Sequence, residues 1–201
     1  MNTLTKGQRT RQRIIEAGFI CFGRKGFQSA TLDEVAKLSK TQRPAIIKYF
    51  GSKSGLLSAC VMSVLDRVAL EMREAEANCK NALEVLNLQF EKNLEMAMYR
   101  EGEVQVVMLF YILASHEDEL SMNFDTAISR IRERYTSIVI AVAQEKKIRL
   151  KFDAQEIGKM LHQFTIGAIV LLLAGSKSKK QFTELRKQWD FLVSSLLKSP
   201  P

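Results

Sequence analysis

The sequence predicts an all-α fold of about nine helices, an N-terminal three-helix module followed by a larger helical body. Three observations predict it. Apolar residues recur at helical spacing along nearly the whole chain, and no segment keeps the strict alternation of a half-buried strand. Backbone breakers are scarce, with 10 Gly and 3 Pro in 201 residues. The balance of 46% hydrophobic and 26% charged residues suits a folded body plus a small module and excludes disordered and collagen-like classes.

The first helix is expected from about Lys6 to Lys25, with Ile14, Ile15, Phe19 and Phe22 on one side and Lys25-Gly26 as its end. Thr31-x-x-Glu34 has capping-box spacing, in which the hydroxyl accepts a free backbone N–H and the carboxylate reaches back. It opens a short helix carrying Leu32, Val35 and Ala36. After a break at 39–42, a third short helix runs to Phe50, and Pro44 can enter its first turn without losing an intrahelical bond. Ser52 can cap a longer fourth helix reaching about Asn78, whose apolar residues Leu56, Cys60, Val64, Val68 and Met72 step by fours.

Further helices are expected at Ala82 to Arg100, Glu103 to His116, Ser121 to about Lys146, Asp153 to Ala174 and Ser178 to Lys198. Gly102, Gly175 and Pro200 are the expected stops. The chain accordingly divides into a small module at 1–53, extending to about 65 along the linking helix, and a body at 54–201.

Charge separates the same two parts. Residues 1–53 hold 11 Lys and Arg against 3 acids, whereas residues 54–201 hold 19 of each sign, so the net +8 belongs to the N-terminal quarter. A cationic module on a neutral body points to a polyanion, either nucleic acid or an anionic membrane surface. Cys21, Cys60 and Cys79 form no CxxC pair and are odd in number, which suits free thiols in a reducing compartment. The N-terminus lacks an apolar signal core, and the most hydrophobic run, Phe164 to Gly175, falls short of the ~20 residues needed to span a bilayer. A cytoplasmic protein, neither secreted nor transmembrane, is expected.

Two short helices joined by a tight turn, behind a longer first helix, make a helix-turn-helix whose third helix can enter a major groove. The residues Arg13-Ile14-Ile15-x-Ala17, Phe22-x-x-x-Gly26-Phe27, Thr31-Leu32-Asp33-Glu34-Val35-Ala36 and Tyr49-Phe50-Gly51-Ser52-Lys53-x-x-Leu56-Leu57 carry a closer likeness. Over roughly residues 9–65 the sequence resembles the TetR (tetracycline repressor-like) family. The departures lie in and just after the turn. Ser39-Lys40-Thr41-Gln42 stands where the family commonly has Ala-Gly-Val-Ser, so Lys40 replaces a glycine suited to positive φ, at up to ~1 kcal/mol if the geometry is kept. Ile47 stands where an aromatic is usual.

The candidate DNA-binding residues are Thr31, Arg43, Pro44, Ala45, Lys48, Tyr49 and Lys53. Lys53 opens a helix, where a cation opposes the macrodipole, and a bound phosphate would account for it. Thr31 can turn its hydroxyl or the helix-start N–H groups to a phosphate, and capping alone accounts for it equally. Arg43 offers a fork for guanine, Ala45 a small surface for a thymine methyl, and Lys48 and Tyr49 reach toward backbone oxygens. Ile46 and Phe50, spaced i and i+4, read as core.

The resemblance implies a regulatory body whose last two helices pair across a two-fold axis, and hence a homodimer on a palindromic operator of double-stranded DNA. The sequence agrees on its own terms. Phe164 to Ala174 is apolar nearly all round, and Phe182, Leu185, Trp189, Leu192 and Leu196 form one stripe, with Trp189 and the Phe164–Ala174 helix expected at the subunit interface. A small apolar inducer would lie between the fourth and eighth helices, where Phe90, Met108, Tyr111, Phe124, Tyr135 and His162 are candidate ligand-binding residues, although they suit a plain core equally. No cofactor or metal is expected, since His116 and His162 stand far apart without a Cys or carboxylate cluster.

The expected function is a sequence-specific transcriptional regulator, a repressor released by a small apolar ligand. No enzyme is expected: GxSxG, a Gly-rich phosphate loop and HExxH are all absent. The alternative is a helical membrane-surface or protein-interaction adaptor using the basic N-terminal module.

Overall fold

The computed structural model describes residues 5–116 and 118–197. Among them all regular structure is helical, in nine helices: α1 (Lys6–Ser29), α2 (Leu32–Leu38), α3 (Arg43–Phe50), α4 (Lys53–Glu76), α5 (Ala82–Tyr99), α6 (Glu101–Leu113), α7 (Asp118–Lys146), α8 (Ala154–Ala174) and α9 (Lys179–Leu196). The all-α reading therefore holds.

Local chemistry explains the boundaries. Thr5 starts α1 with a capping box, its hydroxyl accepting from the Gln8 N–H at 3.2 Å while the Gln8 side chain accepts from the Thr5 N–H at 2.8 Å. Near its end α1 breaks at Gly26, whose φ of 72° and ψ of 172° suit a residue without Cβ. One further turn then carries α1 to Ser29, beyond the end expected at Lys25. Thr31 caps α2 as its spacing predicts, with Thr31 Oγ1 accepting from the Glu34 N–H at 3.3 Å and Glu34 Oε2 accepting from the Thr31 N–H at 3.1 Å. Ser52 caps α4 by accepting from the Gly55 N–H at 2.8 Å. Asn81, Asp153 and Ser178 do the same for α5, α8 and α9.

One expected stop moves. The chain breaks at Arg100 (φ −126°, ψ 45°), and Gly102 lies in the first turn of α6, where a helix has free N–H groups and a glycine costs little packing. The stop expected at Pro200 lies outside the described residues.

By compactness the chain forms two units. The first contains α1–α3, α4 up to Ala69, and Gly102–Ala127. Its buried residues include Ile14, Ile15 and Phe22 of α1, Val35 of α2, Ile46 of α3, Leu56, Leu57, Cys60 and Val61 of α4, and Val104, Val106 and Phe110 of α6. The second contains Leu70–Glu101 and the chain from Ile128 onward. There α8 packs against α5 and α9 around Leu86, Phe90, Leu94, Tyr135, Leu161, Leu172 and Trp189. α4 is divided between the units: the apolar stripe that opens it is buried in the same unit as α1–α3, and its residues from Leu70 belong to the second.

Among the described residues α8 is the helix with the length and apolar composition of a membrane span, although 44% of that stretch is buried within the fold. It also buries His162 and Thr165, polar groups that an α-helix in lipid carries only at a cost.

Candidate nucleic-acid interface

α2 and α3 pack against one another and are joined by four residues. The turn is set by hydrogen bonds at the end of α2. The Thr41 N–H donates to the Ala36 carbonyl at 2.9 Å and the Lys40 N–H to the Lys37 carbonyl at 3.4 Å, the paired pattern of a Schellman stop. The buried Ser39 hydroxyl donates to the Val35 carbonyl at 2.7 Å. Lys40 adopts φ 50°, so the left-handed geometry is kept with lysine in the glycine's place.

α3 then divides into two faces. Ile46 and Phe50 are buried, as their spacing predicts, whereas Arg43, Pro44, Lys48 and Tyr49 are exposed and Ala45 is half-buried. Gln42 makes no side-chain cap, and Pro44 occupies the first turn, where its missing N–H leaves no bond unmade. The start of α3 thus presents its backbone and small side chains without an obstructing cap.

Neighbouring side chains orient the exposed face. Arg43 Nη1 lies 3.4 Å from Asp33 Oδ2 across the turn, both side chains mostly in solvent. The Tyr49 hydroxyl stands at the start of α1, 3.5 Å from where a Cβ on Gly7 would sit. The Arg11 guanidinium lies over the Phe50 ring, 5.4 Å from its centroid. Sequence reading missed the Asp33 partnership, since no local spacing rule links positions ten apart. It also missed the Thr5-x-x-Gln8 box, whose pattern was visible.

At the start of α2, Glu34 serves two partners. It accepts from the Thr31 N–H and pairs with Lys25 from α1. The hydrogen bond with Lys25, then the backbone bond from Thr31, lowers the Glu34 pKa, and the same pairing raises that of Lys25. The Thr31 hydroxyl is thereby committed to the cap in the free chain.

Lys53 is placed differently from the other candidates. Its ammonium donates to the carbonyls of Phe27 at 2.8 Å, Ala30 at 3.1 Å and Gln28 at 3.3 Å, and lies 4.4 Å from the centroid of the Phe27 ring. Of the candidate residues, Thr31, Arg43, Pro44, Ala45, Lys48 and Tyr49 thus lie on α3 and at the start of α2, while Lys53 faces inward to the end of α1.

The six candidate ligand-binding residues fall into both units. In the first, Tyr111 meets Phe124 edge to face at 5.0 Å, and Met108 is half-buried on α6. In the second, Phe90 stacks on Trp189 with centroids 4.2 Å apart and rings parallel to within 1°. Tyr135 donates to Thr165 Oγ1 at 3.0 Å, whose hydroxyl in turn donates to the Leu161 carbonyl at 2.9 Å. Burial, with the Arg132 charge adding to it, lowers the His162 pKa to about 4, so the ring is neutral at pH 7. A cleft of about 350 Å³ in the second unit is lined by other residues, among them Glu76, Cys79, Asn81, Val85, Arg134 and Glu145.

The expected dimer face also changes. Trp189 is fully buried within its own unit, donating its indole N–H to Asn87 Oδ1 at 2.9 Å. Leu185 and Leu196 of the same stripe are buried as well, whereas Phe182 and Leu192 are half-buried. The exposed apolar side chains of these helices are instead Met160, Val170 and Leu171 of α8 and Phe191 of α9.

Residues 14–60 match the family model for bacterial regulatory proteins of the tetR family. The chain is 31% identical over 75 residues to the HTH-type transcriptional repressor NicS of Pseudomonas putida, a stretch covering 37% of this chain and 34% of that repressor. The matched part is thus about a third of that relative's length. The fold of this chain is similar to that of a TetR transcription regulator from Haloarcula marismortui, with a TM-score of 0.79 at 15% identity, covering 94% of this chain and 98% of the other. It is also similar to a structure from Saccharomonospora viridis solved in complex with choline, with a TM-score of 0.73 at 16% identity, covering 92% and 95%.

Proposed function

We propose that this chain, whose residues 14–60 match the tetR family model, is a member of that family and a sequence-specific DNA-binding repressor. It holds a palindromic operator as a homodimer and leaves it when a small, largely apolar molecule binds its body. The observation that carries this reading is the division of α3, with Ile46 and Phe50 buried and Arg43, Lys48 and Tyr49 turned to solvent beside an uncapped helix start. That is the side-chain set a major groove accommodates.

Arg43 reads a guanine by its two-pronged edge, and Pro44 and Ala45 allow close approach to the bases. Lys48 and Tyr49 reach phosphate oxygens, and Thr31 turns to a phosphate at the start of α2. Phosphate contacts release counterions, so the affinity of purified protein for a palindromic duplex is expected to fall steeply with salt. A flat salt response, or binding to lipid vesicles alone, overturns the reading. The adaptor alternative fits less well, because the boxes at Thr5 and Thr31 and the stop at 39–41 cut the basic stretch into short helices, whereas a membrane anchor needs one continuous amphipathic face.

The apolar side chains left exposed on α8 and α9 support dimerisation. Leu171 is 56% exposed and Phe191 74% exposed, and a Cβ on Gly167 would meet nothing within 4 Å, leaving room for another helix. Ligand release follows from α4, a single helix that begins at Lys53 and ends at Glu76, next to the cleft of the second unit. A dimer must match half-sites roughly 34 Å apart, so a few ångströms of change between reading helices misaligns one of them. A ligand preferring the misaligned state by ~1–3 kcal/mol weakens DNA binding by the same amount, and DNA weakens the ligand equally. Calorimetric titration into free and DNA-bound protein tests this: equal affinity in both rules out that ligand as inducer.

A further inference from the structure

We propose that Lys53 is a positioning residue, clamping the end of α1 to the start of α4 and thereby fixing Thr31 and the start of α2 for DNA, rather than touching a phosphate itself. The proposal rests on the DNA-binding reading and concerns how the interface is held.

An ammonium has three N–H donors, and here three carbonyl oxygens, those of Phe27, Gln28 and Ala30, stand at 2.8, 3.3 and 3.1 Å from Lys53 Nζ. These carbonyls lack partners in the ordinary ladder because α1 ends at Ser29 and Ala30 is extended, while the N–H groups of Thr31 and Glu34 are taken by the capping box of α2. The Phe27 ring lies against the same ammonium, 4.4 Å from centroid to Nζ, and is itself buried. A lysine in the first turn of α4 is electrostatically misplaced with respect to its own helix. The negative end of α1 removes that conflict, as a bound phosphate would have done.

Ala30 links Lys53 to the cap of α2. Its carbonyl is held by Lys53 and its N–H donates to the Gly26 carbonyl at 3.3 Å, and the next residue is Thr31, the cap of α2. Releasing Lys53 frees this segment and with it the cap that presents the start of α2. The Lys25–Glu34 pair then remains as the side-chain link between α1 and the first turn of α2.

The test compares Lys53→Met, Lys53→Arg, Thr31→Val and the Lys53→Met/Thr31→Val double variant, using full-length protein and a duplex bound by the wild type. A phosphate contact tolerates arginine, which binds phosphate well, whereas a cradle of three carbonyls fitted to an ammonium does not suit the planar fork. The clamp therefore predicts that both lysine variants lose affinity for all sequences, on the order of tenfold, with an unchanged slope of log affinity against log salt. It also predicts faster hydrogen exchange at residues 31–34 of the free protein, and Lys53→Met and Thr31→Val effects that do not add.

A slope reduced by about 0.9 for each phosphate lost, with affinity kept in Lys53→Arg and exchange unchanged, overturns the clamp. Should Lys53→Met fail to fold, Lys53→Arg still decides through affinity and exchange. If the wild type binds no duplex, the DNA-binding reading fails, and exchange at 31–34 in the free protein still decides the clamp.

Discussion

Arg43 at the start of α3 reaches back across the turn to Asp33 in α2, with Nη1 3.4 Å from Oδ2. The pair is exposed and worth at most ~1 kcal/mol, so it orients the guanidinium without locking it. Replacing Asp33 with Asn is expected to raise affinity for all duplexes by up to about fivefold, since a carboxylate that competes for Arg43 and repels phosphate is removed. Replacing Arg43 with Ala is expected to relax base discrimination at one position of each half-site by ~1–3 kcal/mol. Selection of bound sequences from a random pool checks both, and an unchanged sequence preference in Arg43→Ala means that α3 does not read bases through Arg43.

Lys40 pays for the turn that joins α2 to α3. Its φ of 50° is one that glycine adopts freely, and its side chain is exposed. Lys40→Gly is therefore expected to stabilise the fold by up to ~1 kcal/mol, whereas the β-branched Lys40→Val destabilises it. Urea unfolding of the three proteins measures this; a glycine variant less stable than wild type means that the lysine makes a compensating contact.

His162 makes stability depend on pH. Its folded pKa of about 4 lies below the ordinary 6.5 because it is buried, with the Arg132 charge opposing protonation and the Tyr135 ring beside it. Between those values the unfolded chain holds a proton that the folded chain does not, so stability falls as the pH drops through the window. The full loss approaches ~3 kcal/mol by pH 4. His162→Gln lacks the titration, and its stability is expected to change less between pH 7 and 4.5. An equal pH dependence in the variant assigns the effect to other groups.

Leu171→Arg places a charge on the exposed face of α8 without touching the buried residues Leu172 and Ile169 on either side of the turn. Monomers that remain helical but bind the operator poorly are expected, because a lone subunit loses half of the phosphate contacts and the fixed half-site spacing. Sedimentation velocity decides: a variant that stays dimeric removes α8 from the interface.

The sequence by itself determined the helical class, most of the helix ends and the division of α3 into a buried and an exposed face. All of these depend on interactions within a few residues: the Thr31–Glu34 box, the Ser52 cap, and the i, i+4 pairing of Ile46 with Phe50. The left-handed residue in the turn was suggested by the family resemblance, which has a glycine where Lys40 stands; that lysine keeps the geometry is decided by the fold. Tertiary structure decided what distant groups do. Lys53 stands at a helix start, where the sequence suggests a phosphate, yet its ammonium is taken by carbonyls more than twenty residues away. Trp189 belongs to an apolar stripe that the sequence reading assigns to the subunit interface, whereas the packing of Phe90 onto its ring places it inside its own unit. Periodicity reports which face of a helix is apolar; it does not report which partner covers that face.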